Sequence, residues 1–159
     1  MKTAPLPFAL AALLLLPACQ ASDAGNATAA QAMARATVTI ASATGNHVFN
    51  VDVARTKAEQ ARGLMFRTGI PTDGGMLFAP YPAEGGGPKE ASFWMRDTPS
   101  PLDILFIRAD GTIAHIAENT VPFSDAEVKS GEPVAAVLEL NGGRSAELGI
   151  AVGDKVSWK

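Results

Sequence analysis

The sequence of 159 residues is poor in the residue types that build disulfides, metal clusters and redox centres. It has one cysteine and two histidines. A single cysteine excludes an intrachain disulfide and every cysteine-rich zinc or iron–sulfur site, and two histidines leave little material for a histidine cluster. The sequence also has no G-x-S-x-G elbow, no H-E-x-x-H helix and no phosphate-binding P-loop. We therefore expect neither a bound metal nor a cofactor.

Charge is scarce as well. Charged residues make up 18% of the chain, and the formal net charge is −3. A mildly acidic chain lacks the basic surface that contacts nucleic-acid phosphates, so nucleic acid is not an expected partner. Apolar residues make up 47%, a proportion that excludes a wholly disordered chain. The length fits one domain.

No hydrophobic run is long enough to cross a bilayer, which takes about 20 apolar residues. The longest run, 6–16, follows Lys2 and has the length of a signal-peptide core. It ends in the segment Leu16-Pro17-Ala18-Cys19, which resembles a bacterial lipobox. In such signals the cysteine is acylated and becomes the new N-terminus. The alternative is an ordinary secretory signal that is cut near Ala21.

These features predict three parts of the chain. Residues 1–18 are a lipoprotein signal peptide. Residues 19–34, rich in alanine and small polar residues, are a flexible tether. Residues 35–159 are one β-rich domain. We expect the protein to be exported and held at the periplasmic face of a bacterial membrane by lipid on Cys19. Gln20, in place of aspartate, is compatible with the outer membrane.

Short alternating apolar segments predict a mainly β fold, an antiparallel sandwich or barrel with one or two short helices. The helix signals are a Thr56–Glu59 capping box, a helix end at Gly63, and a second short helix over 144–148. An Asp110-Gly111 pair predicts a hairpin turn. The predicted strands cover 36–42, 47–54, 75–80, 92–98, 102–108, 112–119, 135–140 and 155–159.

Seven short motifs occur in order along the chain: GLMFR (63–67), GMLF (75–78), FWMRDT (93–98), PLDILFI (101–107), DG-x-I (110–113), LEL (138–140) and GD-x-V (153–156). Together they resemble the family known as domain of unknown function 192. The resemblance covers about residues 37–158. It implies a compact β-sandwich or barrel with a short helix, in a family of small, often exported proteins with no established activity.

The FWMRDT segment is the densest group of candidate ligand-binding residues. If it is a strand, Trp94, Arg96 and Thr98 share one face, whereas Asp97 lies on the other face. An indole beside a guanidinium suits a sugar, a peptide or an acidic small molecule, because the ring stacks and the guanidinium orients the ligand. The alternative is a core tryptophan with Arg96 in a surface ion pair.

Two carboxylates lie inside apolar strand segments. Asp103 shares a predicted face with Leu105, and Glu139 shares one with Val137. A buried carboxylate must be paired or hydrogen-bonded, because an isolated buried charge is very costly. The functional interpretation is a pocket or an acid–base pair formed by Asp97, Asp103 and Glu139 with Arg62 or Arg96. The alternative is a structural ion pair between Asp103 and an arginine.

Our main hypothesis is a lipid-anchored envelope domain that binds a small polar or carbohydrate-like ligand, or an envelope glycan, peptide or protein partner. Its ligand-binding candidates are Arg62, Trp94, Arg96, Asp97, Thr98, Asp103 and Glu139. Binding is favoured over enzymatic activity. The enzymatic alternative is a hydrolase that uses Asp103 and Glu139 as acid and base. A third alternative is a structural envelope protein without a small-molecule site.

Overall fold

Alternating apolar residues fold into nine short strands and two short helices in the computed structural model, which describes Met1 and residues 33–159. The predicted signal peptide, most of the predicted tether and Cys19 therefore lie outside the described residues. The elements are β1 (Ala34–Ser42), β2 (Gly45–Ala54), α1 (Lys57–Arg62), β3 (Gly75–Phe78), β4 (Lys89–Phe93), β5 (Leu102–Ile107), β6 (Ile113–Ala117), β7 (Val128–Val134), β8 (Ala136–Asn141), α2 (Arg144–Leu148) and β9 (Lys155–Trp158).

Seven strands form one curled sheet in the order β6-β5-β8-β3-β2-β1-β9. The edge strands β6 and β9 approach each other, with a bridge between Thr112 and Lys155 and a hydrogen bond from the Val156 amide to the Gly111 carbonyl (2.8 Å). The result is a half-barrel. A two-stranded ribbon of β4 and β7 forms the second sheet. The prediction of a mainly β fold with one or two short helices is confirmed.

One strand pair departs from the predicted antiparallel arrangement. β2 and β3 are parallel, with Val53 opposite Leu77. Parallel neighbours need a long crossover, and the segment 55–74, which contains α1, provides it. The crossover begins at a capping box, because the Thr56 hydroxyl accepts from the Glu59 amide (3.2 Å) while the Glu59 carboxylate accepts from the Thr56 amide (2.8 Å). α1 is thereby placed beside the sheet, where it forms one wall of a cleft.

The two faces of the curled sheet pack into separate cores. One core lies inside the curl and contains Leu105, Leu138 and Leu140. The other core lies beneath the ribbon and contains Met76, Ile104 and Val137 of the curled sheet. These side chains pack against Ala91 of β4 and Val134 of β7. Strand alternation decides which side chain enters which core. This division separates the two buried carboxylates of Asp103 and Glu139, which lie on the neighbouring strands β5 and β8.

Candidate functional site

A cleft of about 560 Å³ lies between α1, the loop after β3 and the strand β4. We call it the α1 cleft. Its volume is in the range of small-molecule sites. Its floor is the face of the curled sheet that carries Phe78 and Glu139. Its lining residues are Lys57, Gln60, Ala61, Arg62, Gly63, Leu64, Met65, Phe78, Tyr81, Pro82, Glu84, Lys89, Glu90, Ser92, Phe93, Trp94, Thr98 and Glu139.

The wall formed by α1 is fastened to the loop after β3 by the Gln60 side chain. The Gln60 amide nitrogen donates to the carbonyls of Ala54 (3.1 Å) and Pro80 (2.7 Å), and its oxygen accepts from the Ala83 amide (3.1 Å). Lys57 and Glu84 add an ion pair of 3.3 Å across the same junction. A wall held by several polar contacts keeps the cleft open in a defined shape.

Four aromatic residues line the cleft: Phe78, Tyr81, Phe93 and Trp94. The Phe78 and Phe93 rings pack edge to face with centroids 5.0 Å apart, and Tyr81 lies 5.8 Å from Phe93. Burial raises the pKa of the Tyr81 phenol, so this ring is neutral at physiological pH. Trp94 completes the wall and is 45% exposed. Neutral aromatic surface of this kind stacks well on the apolar face of an organic ligand.

Glu139 brings a carboxyl group to the floor of the same cleft. It stands on β8 between Met76 of β3 and Ile104 of β5, and its side chain is 4% exposed. Among the described residues, no hydrogen bond reaches its carboxyl, and the buried Oε2 atom has no partner. Burial raises the pKa of Glu139 to about 8. At neutral pH the group is therefore a protonated acid, with one O–H to donate and a carbonyl oxygen to accept.

The backbone approaches Glu139 closely at Gly75. A Cβ atom built on Gly75 would overlap with the backbone carbonyl oxygen of Glu139. Only glycine fits between β3 and β8 at this point. The close approach fixes the strand that carries Glu139, and with it the position of the acid in the cleft.

Asp103 has a different environment, and the predicted acid–base pair of Asp103 and Glu139 is wrong. Asp103 lies opposite Leu140 in the sheet, whereas Glu139 lies opposite Ile104. Residues that are paired across two strands point to the same face, so the two carboxylates project from opposite faces of the sheet. No common cleft can contain both groups.

The Asp103 carboxylate is occupied by the backbone. Its Oδ1 accepts from the amides of Asn119 (2.8 Å) and Gly143 (2.8 Å), and its Oδ2 accepts from the Ser145 amide (2.7 Å). The group is fully buried. Asp103 therefore has a structural role, as the alternative interpretation predicts. Its partners, however, are three backbone amides and not an arginine. Asp103 holds the segment after β6 and the start of α2 against the first residues of β5.

The FWMRDT segment is a strand only up to Phe93, and the predicted faces are wrong for Asp97 and Thr98. Trp94 and Arg96 are both exposed, as their predicted shared face requires. Asp97 adopts a positive φ of 54°, and the Met95 amide donates to the Ser124 carbonyl (2.9 Å). The chain therefore turns here instead of continuing the β4 ladder. Asp97 is exposed and does not line the α1 cleft, whereas Thr98 is buried and does.

Trp94 and Arg96 do lie together, although a turn and not strand alternation brings them close. The guanidinium carbon of Arg96 is 4.1 Å from the centre of the Trp94 ring. The Arg96 Nε–H donates to the Asp125 carboxylate (2.7 Å). Arg96 is thus engaged outside the cleft, where it supports the Trp94 ring through a cation–π contact.

Four of the seven predicted ligand-binding residues line the α1 cleft: Arg62, Trp94, Thr98 and Glu139. Arg96, Asp97 and Asp103 do not. Sequence analysis missed the Tyr81–Phe93 pair and the two lysines of the cleft. Tyr81 follows a strand in a proline-rich loop, and such a context carries no signal for a binding site.

No group of three or more histidine, cysteine, aspartate or glutamate side chains is placed to hold a metal ion within residues 33–159. In that same part of the chain, no helix has the length and apolarity that a membrane span requires.

Two solved structures and one family model are similar to this chain. A crystal structure of a protein of unknown function from Novosphingobium aromaticivorans DSM 12444 is 45% identical, with a TM-score of 0.75 over 82% of this chain and 89% of that chain. A candidate transcription regulator from Sinorhizobium meliloti 1021 is 41% identical, with a TM-score of 0.74 over 80% of this chain and 95% of that chain. No curated protein matches. The family model DUF192, described as "Uncharacterized ACR", matches residues 38–158, and the chain belongs to this family.

Proposed function

We propose that this protein is an exported, lipid-anchored domain that binds a small polar or carbohydrate-like ligand in the α1 cleft. The observation that carries the binding proposal is the unpartnered Glu139 carboxyl on the cleft floor. A buried polar group that lacks a hydrogen bond costs about 1–3 kcal/mol, and a ligand hydroxyl or amide would remove that cost. The cleft therefore favours a ligand that brings hydrogen-bonding groups to its floor.

The aromatic residues of the cleft walls provide a stacking surface for the same ligand. The rings of Tyr81, Phe93 and Trp94 offer flat apolar surface beside this single buried acid. A pyranose has the matching character, because its C–H face is apolar while its hydroxyls donate and accept hydrogen bonds. Trp94 is well suited to cover such a ring, since Arg96 holds the indole in place from outside.

Replacement of Trp94 by alanine tests this proposal. The full-length chain is screened by thermal shift against glucose, galactose, N-acetylglucosamine, glucuronate and galacturonate, since a ligand of the native state raises the melting temperature. We expect at least one sugar to do so, and W94A to bind it about tenfold more weakly through loss of the stacking surface.

Trp158→Ala is the matched control for this experiment. Trp158 is 41% exposed on β9 and does not line the α1 cleft. W158A should therefore bind the sugar as the wild-type protein does. The absence of any melting shift with the five sugars, or full retention of binding by a folded W94A, would refute the proposal.

The cleft bears on the two remaining alternatives. A two-carboxylate hydrolase built on Asp103 and Glu139 does not fit the structure, since the groups lie on opposite faces of the sheet. A purely structural envelope protein would favour a smooth surface near Trp94, whereas this surface is a cleft with an unpartnered acid. An envelope peptide or protein partner could present the same polar groups to Glu139.

The lipid anchor is proposed from the sequence alone, because Cys19 lies outside the described residues. We expect cells that express the wild-type chain with an alkyne-tagged palmitate to label it, and Cys19→Ser to abolish the label. Ser22→Ala, three residues further along the chain, should label normally. A labelled C19S protein would show that lipid is attached elsewhere or that the lipobox reading is mistaken.

A further inference from the structure

Some of the charged side chains that line the α1 cleft form ion pairs, and others do not. Among the described residues, Lys57 is paired with Glu84 at 3.3 Å, while no ion pair engages Arg62 or Lys89. The Glu84 backbone amide, the Lys57 ammonium and, more weakly, the charge of Lys89 lower the pKa of Glu84, so this carboxylate is ionised and is neutralised mainly by Lys57.

The remaining acids do not cancel the two free cations. Glu90 provides one negative charge at the rim, beside Lys89 on β4. Glu139 is neutral at pH 7, because burial raises its pKa to about 8. The charged groups that line the cleft are thus Lys57, Arg62 and Lys89 against Glu84 and Glu90, which leaves an excess of one positive charge.

The two free cations stand on different walls. Arg62 lies in the last turn of α1, and Lys89 is the first residue of β4, which lines the cleft from a different wall. Glu139 lies between these walls on the floor, in the sheet strand β8. A ligand that reaches from floor to rim would therefore meet a neutral donor and acceptor at one end and a planar guanidinium at the other. Arginine binds carboxylates through two parallel hydrogen bonds, a geometry that other side chains do not provide.

We propose that the α1 cleft selects an acidic sugar, a pyranose that carries a carboxylate, with Arg62 binding the carboxylate and Glu139 binding a ring hydroxyl. This inference rests on the proposed function and narrows it to one ligand class. Lys89 adds attraction from the wall formed by β4. The aromatic rings of Tyr81 and Trp94 cover the apolar face of the same sugar.

The test uses two pairs of sugars that differ only at one carbon. Galacturonate and galactose, and glucuronate and glucose, differ by a carboxylate in place of a hydroxymethyl group. In calorimetric titrations of the full-length chain, we expect the uronate of at least one pair to bind about tenfold more tightly than its neutral partner. The preference should shrink in 0.5 M NaCl, because salt screens the attraction between exposed charges.

Arginine variants show where the preference arises. R62Q should lower uronate affinity about tenfold and the affinity for the neutral sugar by about twofold at most. Arg55→Gln is the matched control. Arg55 lies just before the same helix, does not line the cleft and donates only its backbone amide to Glu59. R55Q should leave both affinities unchanged.

The outcomes separate this inference from the proposed function. Equal affinity for the uronate and the neutral sugar would leave sugar binding intact and overturn the acidic preference. An equal loss of both affinities in R62Q would assign Arg62 a role in cleft shape and would also overturn it. No binding of any of the four sugars would overturn the inference, and failure of N-acetylglucosamine as well would overturn the proposed carbohydrate ligand.

Discussion

The E139Q variant is expected to be more stable than the wild-type protein at pH 8, and the difference should grow with pH. Between about pH 5 and pH 8, the difference in unfolding free energy should increase by about 1.4 kcal/mol per pH unit. Over the interval from the ordinary pKa of 4.5 to the folded-state pKa of about 8, the total is about 4 to 5 kcal/mol. Stability is measured by urea unfolding at half-unit pH steps.

The direction of this pH dependence follows from the number of protons that the folded and unfolded states bind. In this interval the folded protein keeps the Glu139 proton, whereas the unfolded chain has lost it, so a rise in pH favours unfolding. The unfolding free energy therefore has its full value with respect to Glu139 below pH 4.5. It falls progressively between pH 4.5 and about pH 8. Glutamine cannot ionise, and its variant avoids this loss. A stabilising substitution in a binding cleft is the usual sign that function and stability compete at the site.

Glu127→Gln is the control for the same measurement. The hydrogen bond from Lys129 lowers the pKa of Glu127, so any stability that this carboxylate provides is lost below pH 4.5 and is constant above it. E127Q should therefore show no slope relative to wild type between pH 5 and pH 8. A constant difference for E139Q, or a wild-type protein that is the more stable at pH 8, would contradict the environment assigned to Glu139.

The Asp103→Ala variant is expected to lose about 3 to 5 kcal/mol of unfolding free energy. The carboxylate accepts from the amides of Asn119, Gly143 and Ser145, and alanine leaves all three without this acceptor. For a domain of this size, the loss corresponds to a fall of about 10 to 20 °C in melting temperature. Differential scanning calorimetry measures both quantities.

Asp97→Asn provides the matched control. Asp97 is exposed at a positive φ of 54°, a conformation that asparagine also tolerates, and D97N should melt within about 2 °C of wild type. Sugar binding by D103A, measured below its melting temperature, should stay near wild type because Asp103 faces away from the cleft. A D103A protein as stable as wild type would show that these amides find other partners. Loss of binding by a folded D103A would contradict the separation of the two faces.

Local signals in the sequence predict the local structure well. The T-x-x-E pattern at Thr56 predicts the helix start, and both hydrogen bonds of the capping box are present. Strand alternation correctly predicts that Asp103 shares a face with Leu105, and that Glu139 shares one with Val137. These features depend on neighbours within a few residues, and sequence spacing encodes such neighbours directly.

Contacts between residues far apart in the sequence could not be predicted from local patterns. Whether Asp103 and Glu139 face each other depends on the register between β5 and β8, and alternation within one strand does not contain that information. The strand β7 was missed because Gly131 and Pro133 give it the appearance of a loop. It is paired with β4 alone in a two-stranded ribbon, and proline is accepted at such edges.

The cleft itself follows from tertiary contacts. Its walls come from α1, the loop around Tyr81 and β4, which are joined by Gln60 and by ring packing on Phe93. The strand predicted through Trp94 ends earlier because the Met95 amide is bound by Ser124 from a distant loop. Such contacts override the alternating pattern of the segment, and no local propensity reports them.

Direct titration of Glu139 tests the central claim, that the α1 cleft holds a protonated carboxylic acid. The full-length chain is labelled with ¹³C at the glutamate side chains, and the Glu139 carboxyl resonance is assigned by its absence from E139Q. The structure predicts a midpoint near pH 8 for this resonance. A midpoint near the ordinary value of 4.5 would show an ionised group at neutral pH and would contradict the account.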